Sequence, residues 1–248
     1  HERAVVIGNG NVALDVARML ALTPAELQPT DTTDEAIAAI NAAGVREIVV
    51  VGRRGPVQAA WTPVEVGELG ELAGADILVD PAELELDPAS EAELEAAPPT
   101  VKRNVEHLRS YAARAPEGKP RAIRLRFFTS PTAILGGEKV EAIEVVRNEL
   151  VDGRAVPTGD QETIPCGIVF RSVGYRGTSI AGLPFDEGPP IARPGTHRIY
   201  SNAGFAALGR HVEERAEMPF AAYYEHVWGR PLAGHPGSVV VTVLGGWP

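Results

Sequence analysis

The sequence predicts an α/β fold: a parallel β-sheet with helices on its faces, an antiparallel β-meander, and a helical C-terminal segment. Three observations predict it. Ala4–Ile7 and Glu47–Val51 are short, largely apolar runs closed by Gly8 and Gly52, the pattern of strands buried on both faces. Asn11–Leu22, between them, places Val12, Val16, Met19 and Leu20 at helical spacing, and alternation of strand and helix implies a parallel sheet. From Arg121 the period drops to two, with Ile123, Leu125 and Phe127 set between Arg124 and Arg126, as in strands with one wet face.

The remaining elements follow in order. Pro24 and Pro29 break the first helix. Asp34–Ala43 reads as a second helix, capped near Thr33 or Asp34. Thr62–Leu72 reads as another, with Pro63 at an early position where its missing N–H does no harm. Ile77–Val79 is a candidate strand. Pro81–Pro99 is acidic and alanine-rich, predicting short surface helices, and Val101–Ala115 predicts a basic helix. The meander is expected to begin at Arg121 and to continue through Thr132–Leu135, a Gly136–Gly137 turn, Lys139–Leu150 and Thr163–Val173. A Gly/Pro-rich linker at Asp186–Gly195 separates an expected first domain, residues 1–185, from a C-terminal segment, 186–248, holding two helical stretches and a last strand, Ser238–Leu244.

Composition narrows the function. The chain has 248 residues, 44% of them hydrophobic and 23% charged, enough for one large or two small domains. Its formal charge of −10 argues against a general nucleic-acid or anionic-membrane binder, since such partners need a positive surface. Cys166 is the single cysteine. It offers neither an internal disulfide nor a cysteine metal site, and it suits a reducing, cytoplasmic setting. No apolar run nears the roughly 20 residues that span a bilayer. The sequence opens at His1 and enters a strand by Arg3, which reads as a fragment of a longer protein.

The chemistry concentrates at two strand ends. The first strand runs into Gly8-Asn9-Gly10-Asn11-Val12-Ala13, a G-x-G-x-x-A turn opening a helix. Gly8 permits the tight turn, Gly10 lets the backbone approach a pyrophosphate, and Ala13 lets the helix pack on the strand. The free N–H groups of the helix start then face the anion. Asn11 is a candidate phosphate or ribose ligand, or else a helix cap. This is the signature of a Rossmann-like, dinucleotide-binding sheet. The second strand ends in Gly52-Arg53-Arg54-Gly55, where NAD binders usually carry an acid for the ribose 2′-hydroxyl. Arginine there accommodates a 2′-phosphate, because guanidinium groups take phosphate in a bidentate, charge-assisted way. The expected cofactor is therefore NADP(H). Arg53 lies more than twice as far from Gly8 as the roughly 20 residues of the simple unit. A surface helix inserted over Pro24–Ala43 accounts for the difference.

Longer strings carry a resemblance. Val5 through Arg18, Val51-Gly52-Arg53-Arg54-Gly55-Pro56-Val57-Gln58-Ala59-Ala60-Trp61-Thr62, Leu125 through Pro131, Val156 through Asp160, Pro165-Cys166-Gly167 and Ser172-Val173-Gly174-Tyr175 together resemble the adrenodoxin-reductase-like ferredoxin–NADP(+) reductases, flavoproteins of glutathione-reductase type. The resemblance covers about three quarters of the chain. It implies hydride transfer between NADPH and FAD with a ferredoxin-type electron acceptor. It also places Asn11 near the pyrophosphate, Arg53 and Arg54 on the 2′-phosphate, and Glu65 near the nicotinamide end. In that family the FAD domain is split around the NADP domain, so its two halves are expected outside this sequence. The alternative is a non-catalytic NADP(H)-binding module.

The C-terminal segment reads differently. Residues from about 190 to 232, including Tyr200-Ser201-Asn202 and Met218-Pro219-Phe220, resemble a fragment of the serine β-lactamase and esterase family, whose tyrosine acts on a serine activated by lysine. No serine here is followed three residues later by lysine, so a serine hydrolase is the weakest of the three readings.

Overall fold

The computed structural model describes residues 2–174, with 217 and 218. The chain divides into two compact units, His1–Tyr175 and Arg176–Pro248. The expected boundary at 185, the linker, the C-terminal helical stretches and strand, and the β-lactamase-like segment apart from Glu217 and Met218 lie outside the described residues.

The first unit is an α/β fold. Its elements run β1 (Arg3–Ile7), α1 (Asn11–Ala21), α2 (Pro24–Leu27), α3 (Asp34–Ala42), β2 (Glu47–Val51), α4 (Pro63–Glu68), β3 (Ala75–Val79), α5 (Pro88–Ala96), α6 (Pro99–Ala112), β4 (Arg121–Arg126), β5 (Thr129–Leu135), β6 (Ala142–Val151), β7 (Arg154–Pro165) and β8 (Ile168–Arg171). Five strands form a parallel sheet in the order β3-β4-β2-β1-β8, and β5-β6-β7 form a separate antiparallel sheet.

Alternation along the parallel strands assigns each face a different cover. Ala4, Val6, Ile48, Val50, Ile123 and Leu125 pack with Leu14 and Ala17 of α1, Val66 of α4 and Leu108 of α6. Val5, Val49 and Val51 point the other way, against Ile143 and Val145 of β6 and Ile164 of β7. Both faces are covered at the centres of β1 and β2, so Ala4–Val6 and Ile48–Val51 are apolar.

Four expectations change. The Arg121–Phe127 run does not open the meander, because β4 is an interior strand between β2 and β3. Arg124 and Arg126 lie on the face under the antiparallel sheet and tolerate it because carboxylates meet them: Arg124 pairs with Glu47, and Arg126 with Glu83 and Glu162. Thr163–Val173 is not one strand either. The chain leaves β7 at Pro165, and Gly167 N–H donates to Arg3 O at 3.0 Å, so β8 joins the parallel sheet beside β1. Pro24 does not only end a helix. It starts α2, whose Thr23 and Glu26 form a capping box. Finally, α4 is short and passes into a 3₁₀ turn over Leu69–Glu71. Helix α3, in the long insertion between α1 and β2, has no buried residue and is capped by Thr33, whose side chain accepts from Ala36 N–H.

Two predictions follow from this packing. Gly8 has φ +147, and a Cβ there would sit 2.0 Å from the Ser172 carbonyl oxygen. Gly44 has φ +67 with open space around it. Gly8→Ala is expected to destabilise by about 2 kcal/mol or more and Gly44→Ala by about 1 kcal/mol, the cost of the backbone conformation alone. Urea denaturation of both variants checks the difference. The second concerns Glu47, whose carboxylate accepts from Arg3 Nε at 2.6 Å and Arg124 Nε at 2.9 Å. Burial opposes its ionisation, but the two guanidinium groups outweigh it and hold the carboxyl below its ordinary range. A folded-state value below the unfolded one stabilises above the unfolded value, and the stabilisation is lost as pH falls through the folded one. Glu47→Gln is expected to lower the thermal midpoint by roughly 2–4 °C at pH 7. That deficit should shrink as pH is lowered below the ordinary carboxylate range and the Glu47 carboxyl is protonated in the folded state.

Candidate nucleotide-binding site

A cleft of about 610 Å³ opens at the carboxyl ends of β1 and β2, where open parallel sheets bind nucleotides. Gly8, Asn9, Gly10, Arg53 and Arg54 all line it. Asn11, Val12, Ala13 and Glu65 do not line this cleft.

The Gly-rich turn is arranged around two different glycine requirements. Gly8 is needed because β8 comes close: Ser172 N–H donates to Ile7 O at 2.7 Å, which brings the Ser172 carbonyl onto Gly8. Gly10 is not needed by the fold. Its φ is −126 and its ψ 175, extended backbone open to any residue, and a Cβ there would meet nothing within 4 Å. It faces open space, as expected of a backbone that admits a ligand. Gly10 caps α1 without a side-chain bond, and the first turn holds no acidic residue. Asn11 N–H is engaged by the bridge that pairs Gly10 with Ala60, whereas the N–H of Val12 has no acceptor among the described residues. The positive end of the helix dipole is therefore available to an anion. Ala13 is fully buried in the core between α1 and the sheet. Val12 is 60% exposed.

Asn11 is not the cap of α1, a place that Gly10 takes. Its Oδ1 accepts from Thr62 N–H at 2.9 Å, tying the start of α1 to the segment before α4. Ala60 N–H donates to Asn9 O at 2.9 Å beside it. The Asn9 side chain lies over Gly52, whose Cβ would fall 2.7 Å from its Nδ2.

Arg53 and Arg54 are exposed, and neither guanidinium has an ion-pair or hydrogen-bond partner among the described residues. Their main chain is tied firmly. Gly52 N–H donates to Arg126 O at 2.8 Å, Thr129 N–H to Gly52 O at 2.9 Å, and Phe128 N–H to Arg54 O at 3.1 Å. Asn148 Nδ2 donates to Arg53 O at 2.9 Å. Phe128 adopts φ 51, a strained conformation for an aromatic residue that its surroundings impose. Its ring lies against Gly55 and 5.5 Å from the Arg147 guanidinium.

Beneath this loop sits a buried carboxylate that sequence reasoning missed. Glu83 is 3% exposed. Its Oε2 accepts from Phe127 N–H at 2.6 Å and its Oε1 from Arg147 at 2.9 Å. Burial pushes its carboxyl above the ordinary range, against the pull of the Phe127 N–H, Arg126 and Arg147. Pro81–Pro99 reads as a wet acidic stretch, so nothing local distinguishes Glu83 from its neighbours. Asn104 and Tyr111 were also missed, although a signal existed: both fall on the apolar stripe of α6 with Leu108. Asn104 Nδ2 donates to Trp61 O at 2.7 Å and Tyr111 OH to Val66 O at 2.7 Å, fastening α4. Glu65, on the first turn of α4, has a buried Oε2 with no partner.

No group of residues among those described could hold a metal ion, and no described helix is long and apolar enough to cross a membrane.

Gly10→Val provides the test of this geometry. The variant is expected to fold with an unchanged thermal midpoint, because the backbone there is unstrained and the space empty. It should lose at least about tenfold in nucleotide affinity, since the side chain fills the path of the pyrophosphate. Calorimetric titration with a dinucleotide beside a thermal melt separates the two effects.

No family model matches the chain. Among curated proteins it is 50% identical over 190 residues to the NADPH-ferredoxin reductase FprA of Mycobacterium tuberculosis, a match covering 75% of this chain and 41% of that one. It is 38% identical over 202 residues to the human mitochondrial NADPH:adrenodoxin oxidoreductase, covering 75% and 40%. Among solved structures, Mycobacterium tuberculosis FprA in complex with NADPH superposes with a TM-score of 0.68 at 48% identity, over 75% of this chain and 41% of that one. The β-lactamase-like reading of residues 190–232 gains no support from these relatives. The chain is thus similar to NADPH-ferredoxin and adrenodoxin reductases over three quarters of its length, and it spans about two fifths of theirs.

Proposed function

We propose that this chain is the NADP(H)-binding part of a flavin-dependent ferredoxin–NADP(+) oxidoreductase. One observation carries the reading: two guanidinium groups without a carboxylate partner line the same cleft as a Gly-x-Gly-x-x-Ala turn with an open helix start. An anionic dinucleotide with an extra phosphate on the adenosine ribose satisfies both at once. Gly8–Ala13 would hold the pyrophosphate. Arg53 and Arg54 would take the 2′-phosphate. Glu65, with its unpartnered carboxylate oxygen, is assigned to the nicotinamide end by the resemblance.

The described residues hold one cradle of this kind, and its arginine pair supports the phosphorylated nucleotide as its ligand. They offer no second cradle for FAD. In the proposed whole reaction FAD exchanges the hydride with NADPH and a ferredoxin-type protein takes the electrons. This chain's share is to bind and orient the nucleotide. Residues 1–185 form the NADP(H) domain in this reading, and the single cysteine, a buried thiol raised by burial, suits a cytoplasmic setting. The alternative reading is a non-catalytic NADP(H)-binding module.

The Arg53→Ala/Arg54→Ala double variant is expected to weaken NADPH binding by about 100-fold while leaving NADH within about twofold, as expected when charge-assisted bonds to one phosphate are removed. Equal losses for both nucleotides would remove the arginines from the 2′-phosphate. A visible-absorbance spectrum of the purified chain separates the two readings. A colourless chain that binds 2′,5′-ADP is the module, and a yellow one that reduces a dye with NADPH is the enzyme.

A further inference from the structure

We infer that Ser130 is a further phosphate ligand, a hydroxyl donor to the ribose 2′-phosphate, and that Asn148 is the positioning residue that turns its proton toward the cleft. This rests on the reading of Arg53 and Arg54 given above.

Asn148 is 4% exposed. Its side chain bonds to two oxygens, Arg53 O at 2.9 Å and Ser130 Oγ at 2.8 Å. A main-chain carbonyl can only accept, so the group facing it must be the amide NH₂, which fixes the orientation of the whole carboxamide. The second amide hydrogen then goes to Ser130 Oγ, which is an acceptor in that bond. A hydroxyl has one hydrogen to give, and Ser130 gives its own to no described residue. Ser130 lines the cleft beside Arg53 and Arg54. A serine that accepts from an amide on its buried side and has an unspent proton beside two guanidinium groups is a donor suited to an anion. Donation by Asn148 also polarises that O–H bond.

The fold supplies the reach. Asn148 lies just past a register shift in the β6–β7 pairing, between Val146 and Asn148, and β5 carries its own shift just past Ser130, between Pro131 and Ala133. Such irregularities re-aim side chains at sites. Asn148 N–H also donates to Phe128 O at 2.7 Å, so one residue holds the strained Phe128, the main chain of Arg53 and the hydroxyl of Ser130 together.

Ser130→Ala removes the hydroxyl and leaves the Asn148–Arg53 bond in place. In calorimetric titrations of the full chain, Ser130→Ala is expected to weaken 2′,5′-ADP by about tenfold, the worth of a hydrogen bond to a charged group, and to leave 5′-AMP unchanged. Ser130→Thr, which keeps a hydroxyl, should restore most of the loss. Asn148→Asp cannot donate to the Arg53 carbonyl and should also weaken 2′,5′-ADP selectively. If Ser130→Ala binds 2′,5′-ADP like the parent while Arg53→Ala/Arg54→Ala does not, the role of Ser130 is overturned and the arginine site stands. Equal losses for both ligands, or no rescue by threonine, overturn it as well. If neither the serine nor the arginine variants lose affinity, the site itself has been misread.

Discussion

Arg53 and Arg54 meet no carboxylate among the described residues, in a chain whose formal charge is −10, and the rest of the site depends on keeping them so. Arg3, Arg18, Arg124, Arg126 and Arg147 each pair with a glutamate. Arg53 and Arg54 do not among the described residues, and the main chain that carries them is fixed from behind. Their carbonyls accept from Asn148 and Phe128, and the glycines on either side are covered by Asn9 and the Phe128 ring. The side chains are left to project from a loop that cannot easily fold back on the acidic surface. A preorganised cation pair loses less entropy on binding a phosphate than a floppy one.

The cover on the two faces of the parallel sheet explains why that loop can be fixed at all. Helices α1, α4 and α6 take one face and the antiparallel sheet takes the other. The antiparallel sheet brings Asn148 and Arg147 within reach of the end of β2, on the far side from α1. Arg147 in turn needs a buried partner, and Glu83 supplies it while also capping the Phe127 N–H. A buried ion group of this kind contributes little net stability. Its use here is geometric, since it sets the path of Phe127–Thr129 under the arginine loop.

The relatives fit this picture. Half of the aligned residues agree with a mycobacterial NADPH-ferredoxin reductase, and the superposition with a relative in complex with NADPH covers three quarters of the chain. The aligned portion is about two fifths of those proteins.

Much was legible in the residues themselves. The apolar runs of β1 and β2 with their closing glycines, the helical stripe of α1 and the Thr33 cap follow from local sequence, because burial on both faces, a 3.6-residue period and a capping hydroxyl each leave a short-range mark. The glycine turn was legible for the same reason, as the close approach of Ser172 to Gly8 demands one residue type at that strand end, and the arginine pair was legible as two adjacent cations that line the same cleft. Tertiary structure alone decided the rest. It moved β4 and β8 from an expected meander into the parallel sheet, since a strand's partner is set by long-range register, and arginines on β4 look wet until Glu47, Glu83 and Glu162 arrive from distant segments. It gave Asn11 to Thr62 rather than to a cap, and it joined Asn148 and Ser130 to the arginine loop. Such bonds span many residues of chain and arise only where two sheets pack, so no local pattern in the sequence encodes them.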